Sequence, residues 1–182
     1  MTGLDVPWWI GGGWAIDLFL GRQSRAHADV DICLLLRDQA AVRRHFAGWD
    51  MQIAFGGTLT PWLPGQTLQR VRRHACGIWA RPAPDDLWTL ELLFEDCEDA
   101  EWVYRRDHAT RRPLTEYGAT DSDGIAFVRP EIALLHKSTS FALARHAADF
   151  EAALTSLDAA ARSWLKSALQ REDAGHPWLQ RL

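Results

Sequence analysis

Three consecutive glycines, Gly11-Gly12-Gly13, stand between the apolar run Trp8-Trp9-Ile10 and the segment Trp14 to Leu20. A backbone without side chains can turn sharply from a strand into a helix, and the free amides of the helix's first turn can then approach a phosphate. Trp14 to Leu20 reads as a short helix, and Gly21 is the residue expected at its end. Val30 to Leu36 is β-branched and apolar, which predicts a buried strand. Asp29 and Asp31 sit at its mouth. Residues two apart on a strand point the same way, so these carboxylates share a face. Two ionised carboxylates that close either share a proton or hold a cation, and hard oxygen ligands suit Mg²⁺. A lone Asp-x-Asp also describes an ordinary solvated strand end, just as a glycine run also describes a tight turn. Together they describe a nucleoside triphosphate–Mg²⁺ site. The fingerprint Gly-x-Gly-x-x-Gly is absent, and no Gly-Lys-Ser/Thr follows, so neither a Rossmann nor a P-loop site is indicated.

The rest of the chain divides in two. From Trp8 to about Arg129, strand-like pieces alternate with short helical ones: a helix over Gln39 to Phe46, then strands over Trp49 to Phe55, Ala75 to Ala80, Leu87 to Phe94 and Trp102 to Tyr104. Thr58 to Gln66, with two prolines and glycines nearby, reads as a loop. Pro130 then opens a helix whose apolar pattern, Ile132, Leu135 and Phe141, runs to about Arg145. Phe150, Leu154 and Leu157 continue it, and Trp164, Leu165 and Leu169 belong to a last long helix ended by His176-Pro177. The expected organisation is an α/β (α+β) sheet domain over 1–129 and a helical C-terminal region over 130–182.

Composition narrows the partners. The net charge is −4, so a basic nucleic-acid binder is not expected. No apolar run is long enough to span a bilayer, and no signal peptide is visible. Cys33, Cys76 and Cys97 are too scattered for a disulfide framework, which points to a reduced, cytoplasmic compartment.

Gly12-Gly13-Trp14 followed by Asp17, Gly21, Arg25, His27, Asp29 and Asp31 resembles the signature of the nucleotidyltransferase superfamily. More narrowly, it resembles the lincosamide and aminoglycoside-2″ nucleotidyltransferase group. Weaker similarity continues through Trp102-Val103-Tyr104-Arg105-Arg106 and from Pro130-Glu131 to Lys137. The resemblance implies a small mixed sheet flanked by helices. It also implies transfer of a nucleoside monophosphate, AMP from ATP by family habit, to a hydroxyl of a small molecule, with pyrophosphate leaving. An aminoglycoside or lincosamide is the acceptor class it suggests. Other readings keep the fold: modification of a protein or RNA end, or nucleotide binding without catalysis.

Under that resemblance Asp29 and Asp31 hold Mg²⁺. Glu91, a lone acid amid the apolar strand around Leu90 and Leu92, becomes the third metal ligand or general base; Glu95 and Asp96 are fallbacks. Gly12, Gly13, Arg25, His27 and Lys137 would hold phosphates. Lys137 is one of only two lysines among 20 Lys+Arg. The alternatives are a loop salt bridge for Arg25, a supporting contact to Asp29 or Asp31 for His27, and a solvated lysine for Lys137. Asp17 caps backbone amides or pairs with Arg25. The acids between Asp85 and Asp99 could build an acidic cleft for a polycation. Of the 10 tryptophans, Trp62, Trp79 and Trp102 are expected to border the acceptor cleft, and Trp14 and Trp88 to pack in the core. The basic run Arg70, Arg72, Arg73 and His74 reads as a solvated edge.

Overall fold

The computed structural model describes residues 1–69 and 77–182. Trp8–Ile10 forms β1 and Gly12–Leu20 forms α1. The helix begins two residues before Trp14 because Gly12 takes φ +57°, a left-handed value that turns strand into helix with no intervening loop. Gly21, at φ +65°, closes it, its amide reaching the Leu18 carbonyl. Val30–Leu35 is β2, Gln39–His45 is α2 and Asp50–Phe55 is β3, close to expectation.

Thr58–Pro61 corrects the expected loop: it is strand β4, paired antiparallel with β3. Gly56 and Gly57 both have positive φ and reverse the chain in two residues. Pro61 is tolerated because β4 is the edge of the sheet. Gly77–Arg81 is β5; Ala75, Cys76 and the basic run Arg70, Arg72, Arg73 and His74 lie outside the described residues. Leu90–Glu98 is β6, starting later and running further than the expected Leu87 to Phe94. Glu101–Val103 is β7. Three short strands escaped the sequence reading: β8 (Arg111–Pro113), β9 (Gly118–Thr120) and β10 (Ala126–Val128).

The strands form one mixed sheet in the order β4-β3-β5-β6-β2-β1-β10-β9, with β7 and β8 extending from β6. The parallel pairs are β2 with β6 and β1 with β10. Period-two alternation splits the core between the faces. Ile32, Leu34, Ile78, Leu92 and Phe94 pack with Met51, Val42 and Phe46 on one side. On the other side, Ala15, Ile16, Cys33 and Phe127 pack under the C-terminal helices.

Those helices are α3 (Pro130–Lys137), α4 (Ala144–Leu154) and α5 (Ala159–Glu172). The expected continuous helix to about Arg145 is broken at Lys137. There the Ser138 hydroxyl donates to the Leu135 carbonyl and a 3₁₀ turn follows over Ser138–Ser140. The apolar spacing survived the break, so it did not betray it. The last helix ends at Glu172, and Pro177–Gln180 is a separate 3₁₀ turn. One apolar cluster unites Ala15 and Trp102 with Ile132, Leu135, Phe150 and Leu165, so residues on both sides of Arg129 share a core. Among the described residues, no helix is long and apolar enough to cross a membrane.

Two tryptophans expected at the cleft are core instead: Trp62 is 2% exposed and Trp102 is fully buried. The Trp102 indole N–H donates to Glu95 at 2.9 Å, in a buried group with Arg105. Trp88 is half-buried with the Arg81 guanidinium over its ring. Trp102→Ala is expected to cost about 3–5 kcal/mol of stability in urea denaturation. Trp102→Phe, which keeps a six-membered ring and loses the pyrrole part with its N–H, should cost less, about 1–3 kcal/mol. Equal losses for both would mean the hydrogen bond, not the packing, dominates.

Candidate functional site

The site is built where β1 turns into α1 beneath the end of β2. The Gly11 amide donates to the Asp31 carbonyl at 2.8 Å, which draws the turn against the strand. A side chain on Gly12 would overlap the Asp31 carboxylate, and one on Gly13 would overlap Arg25 Nη2 and the His27 ring. Backbone and functional side chains therefore meet at a closeness only glycine permits. The first amides of α1 have no intrahelical partner.

Register delivers the carboxylates. β2 and β6 run parallel with Asp31 opposite Glu91, so both project from one face of the sheet. Asp29 precedes them, exposed, in the loop before β2. Burial first, and then Asp29, push the Asp31 carboxyl up to about 6. Burial, followed by Asp31 and Asp29, pushes Glu91 up to about 7, with the Trp79 indole opposing. Trp79 is Glu91's cross-strand partner on β5 and is 36% exposed, so of the three expected cleft tryptophans this one stands beside the acids. Gly77 leaves space for the same carboxylate: a Cβ there would lie 2.6 Å from Glu91 Oε1.

Asp29, Asp31 and Glu91 line a cavity of about 530 Å³ with Gly13, Arg25, His27, Lys137, Arg145 and His146. Seven of the eight expected site residues thus share it. The eighth, Gly12, lies beneath Asp31 and lines a neighbouring cavity of about 190 Å³ that also reaches Lys137 and His146. Of the acids between Asp85 and Asp99, Glu91 lines the first cavity and Glu95 the second, so the run builds no common acidic wall. The fallback Glu95 is tied to Trp102 and Arg105.

The cations are anchored. Asp17 does not pair with Arg25. It is buried, accepts Ser24 N–H at 3.0 Å and the Ser24 hydroxyl, and meets His27 Nε2 at 2.6 Å. Burial raises the Asp17 pKa, but the Ser24 and His27 contacts outweigh it and leave it lowered. His27 is thereby fixed with its other ring edge at Gly13, and Trp14 packs its ring 4.5 Å from it while donating to the Asp29 carbonyl. Trp14 therefore braces the loop more than the helix–sheet contact expected of it. Arg25 makes a bidentate pair with Asp149, and Lys137 Nζ lies 2.9 Å from the same carboxylate. Asp149, Arg145 and His146 were missed as site residues. Asp149 did carry a signal: an acid beside Phe150 on the helix face that buries Ala153 and Leu154.

Among the described residues, no group of three His, Cys, Asp or Glu side chains is clustered closely enough to hold a metal alone. Mg²⁺ ordinarily needs only one or two carboxylates, completing its shell with water and substrate phosphates. Asp31, raised by burial and by Asp29, and Glu91, raised by burial and by both aspartates, fit that demand.

The sequence model of a family described as aminoglycoside-2''-adenylyltransferase matches residues 1–55, which include the glycines, Asp29 and Asp31. A stretch of 28 residues is 61% identical to a 2''-aminoglycoside nucleotidyltransferase of Escherichia coli, and equally to one of Klebsiella pneumoniae. That stretch is 15% of this chain and spans 16% of each relative's length. Among solved structures, the antibiotic-resistance factor ANT(2'')-Ia superposes with a TM-score of 0.59 at 20% identity, over 93% of this chain and 85% of that one. The lincosamide antibiotic adenylyltransferase LnuA, bound to lincomycin, gives 0.52 at 17% identity over 81% and 85%. The chain shares their fold, a mixed sheet flanked by helices.

Asp31 and Glu91 bind a proton more tightly in the folded chain than in the unfolded one. Between about pH 4 and 7 they therefore make metal-free stability fall as pH rises. Asp31→Asn and Glu91→Gln are expected to melt higher than the wild type at about pH 8, with the gain shrinking toward about pH 5. A pH-independent difference in Tm would contradict the crowding of these carboxyls.

Proposed function

We propose that this protein is a Mg²⁺-dependent nucleotidyltransferase that moves a nucleoside monophosphate, AMP from ATP, to a hydroxyl of a small molecule and releases pyrophosphate. The observation that carries this is the in-register pair Asp31–Glu91 opening onto a cavity with the glycine turn on one side and Lys137 on the other. The partial sequence match and the shared fold support it and direct the acceptor toward an aminoglycoside or lincosamide antibiotic.

Asp29 and Asp31 would hold the metal, which when bound neutralises charge on the phosphates and on the attacking oxygen. Glu91 takes the proton of the acceptor hydroxyl. Its raised pKa in the metal-free chain marks a group poised near neutrality, where a general base is most effective. The acceptor oxygen bonds to the α-phosphorus, the bond to the β-phosphate oxygen breaks, and pyrophosphate carries away that electron pair. The amides at Gly12 and Gly13, with Arg25, His27 and Lys137, bind the phosphates and stabilise the charge as it moves. Little covalent chemistry falls to the protein, so in-line positioning supplies most of the acceleration. The exposed Trp79 ring beside Glu91 offers a flat surface for the acceptor's sugar.

Incubation with Mg²⁺ and labelled ATP is expected to release pyrophosphate only when an acceptor from an aminoglycoside and lincosamide panel is present. Glu91→Gln should lower kcat by about 10²–10⁴-fold while a non-hydrolysable ATP analogue still binds. Label appearing on the protein or on RNA, independent of any drug, would redirect the acceptor. An unchanged rate in Glu91→Gln would remove Glu91 from the chemistry.

A further inference from the structure

Asp149 occupies a core position of α4 and is fully buried, yet it is a carboxylate held below its ordinary pKa. Burial alone would raise that value; the Arg25 and Lys137 contacts outweigh it. Its Oδ1 accepts Arg25 Nε at 2.7 Å, and its Oδ2 accepts Arg25 Nη2 at 2.9 Å. The same Oδ2 lies 2.9 Å from Lys137 Nζ. Three segments distant in sequence meet on one anion: the loop after α1, the end of α3 and the middle of α4.

Asp149 has no exposed surface through which to touch a ligand, whereas both of its cations line the cavity. The fork is used side-on. Arg25 Nη1 donates to the Ala26 carbonyl, and Nη2 stands where a side chain on Gly13 would be. The guanidinium edge is thus laid against the first turn of α1. Without a shared anion, two adjacent cations on long side chains repel each other, and both are free to swing. Besides Asp17, which Ser24 and His27 already engage, the charges that act on Arg25 are those of Asp29 and Asp31, while Lys137 also acts on Asp31. A cation pairing with those carboxylates would occupy the groups assigned to the metal.

We propose that Asp149 is a positioning residue for the nucleotide. It holds Arg25 and Lys137 against the glycine turn, where both reach a triphosphate, and keeps them off Asp29 and Asp31. This rests on the nucleotidyltransferase reading and adds to it a residue that never meets the substrate.

The test is equilibrium binding of a non-hydrolysable ATP analogue with Mg²⁺ to the full chain, alongside steady-state kinetics. Asp149→Asn, which keeps the shape and removes the charge, is expected to weaken analogue binding by about tenfold or more and to raise the KM for ATP by a similar factor. The KM for the acceptor should stay within about twofold. In a Lys137→Met background the same change should cost much less, because Asp149 acts through the cations it holds. That double variant loses one buried charge of each sign, so comparing it with Lys137→Met carries the test even where Asp149→Asn alone does not fold. Wild-type affinity in Asp149→Asn overturns the assignment, as does an undiminished loss in the Lys137→Met background. A wild-type chain that binds no nucleotide overturns both this assignment and the reading it rests on. A chain that binds nucleotide indifferently to Asp149 overturns this one alone.

Discussion

The closeness of the Gly12-Gly13 backbone to the side chains of Asp31, Arg25 and His27 is the constraint on which the site depends. It is set by two local facts: the left-handed φ of Gly12, and the hydrogen bond from the Gly11 amide to the Asp31 carbonyl. Together they place the start of α1 directly under the acid end of β2. Any other residue at 12 adds both a strained backbone and an overlap with the carboxylate. From this junction the rest follows by register. β1 lies antiparallel to β2 with Ile10 opposite Ile32, and β2 lies parallel to β6 with Asp31 opposite Glu91. A slip of one residue in that parallel pair would turn Glu91 to the opposite face, among Leu92 and Phe94.

Charge is then distributed so that the site stays electrostatically open. Burial and Asp29 raise the proton affinity of Asp31, and burial, Asp31 and Asp29 raise that of Glu91; among the described residues no ion pair is made to either. Arg25 and Lys137 are instead paired with Asp149, and His27 with Asp17. Two buried acids, Asp149 and Asp17, thus hold three of the basic groups that line the cavity. A folded chain in which the basic groups neutralised the cavity's own carboxylates would be more stable, and under the proposed function it would be less able to take a metal-bound triphosphate. That is the usual opposition between stability and a prearranged active site.

What was legible in the sequence follows from range. The glycine turn, Gly21 and β2 are written in contiguous residues, and spacing recovers them; Asp29 lies one residue before β2, in the loop, and lines the same cavity as Asp31 without being a strand residue. Glu91 was readable because an ionisable residue interrupts an apolar alternation, a local anomaly with a non-local cause. Asp149 left the same kind of anomaly in α4, but its partner Arg25 lies 124 residues away, and no local spacing connects them. The strands β8, β9 and β10 hold three residues each, too few for alternation to show, and pairing with neighbours alone defines them. Trp62 and Trp102 were misplaced for a related reason. Large rings beside loops look available until their N–H groups find acceptors inside the fold, the Gln66 carbonyl for Trp62 and the buried Glu95 for Trp102.

The same physics explains why likeness to other proteins is local in sequence and extensive in fold. Core positions such as Ile78 or Leu165 ask only for apolar volume, and many residues supply it. The turn at Gly12 asks for the absence of a side chain, and Asp31 for a carboxylate two residues from another. Those demands admit few substitutions, so a match concentrates in the segment that contains them, residues 1–55. Glu91, Lys137 and Asp149 answer a looser demand. Each needs only to deliver a charge to a fixed point in space, and different positions on β6, α3 and α4 could do so. The fold, not any string of residues around them, brings these side chains to the glycine turn.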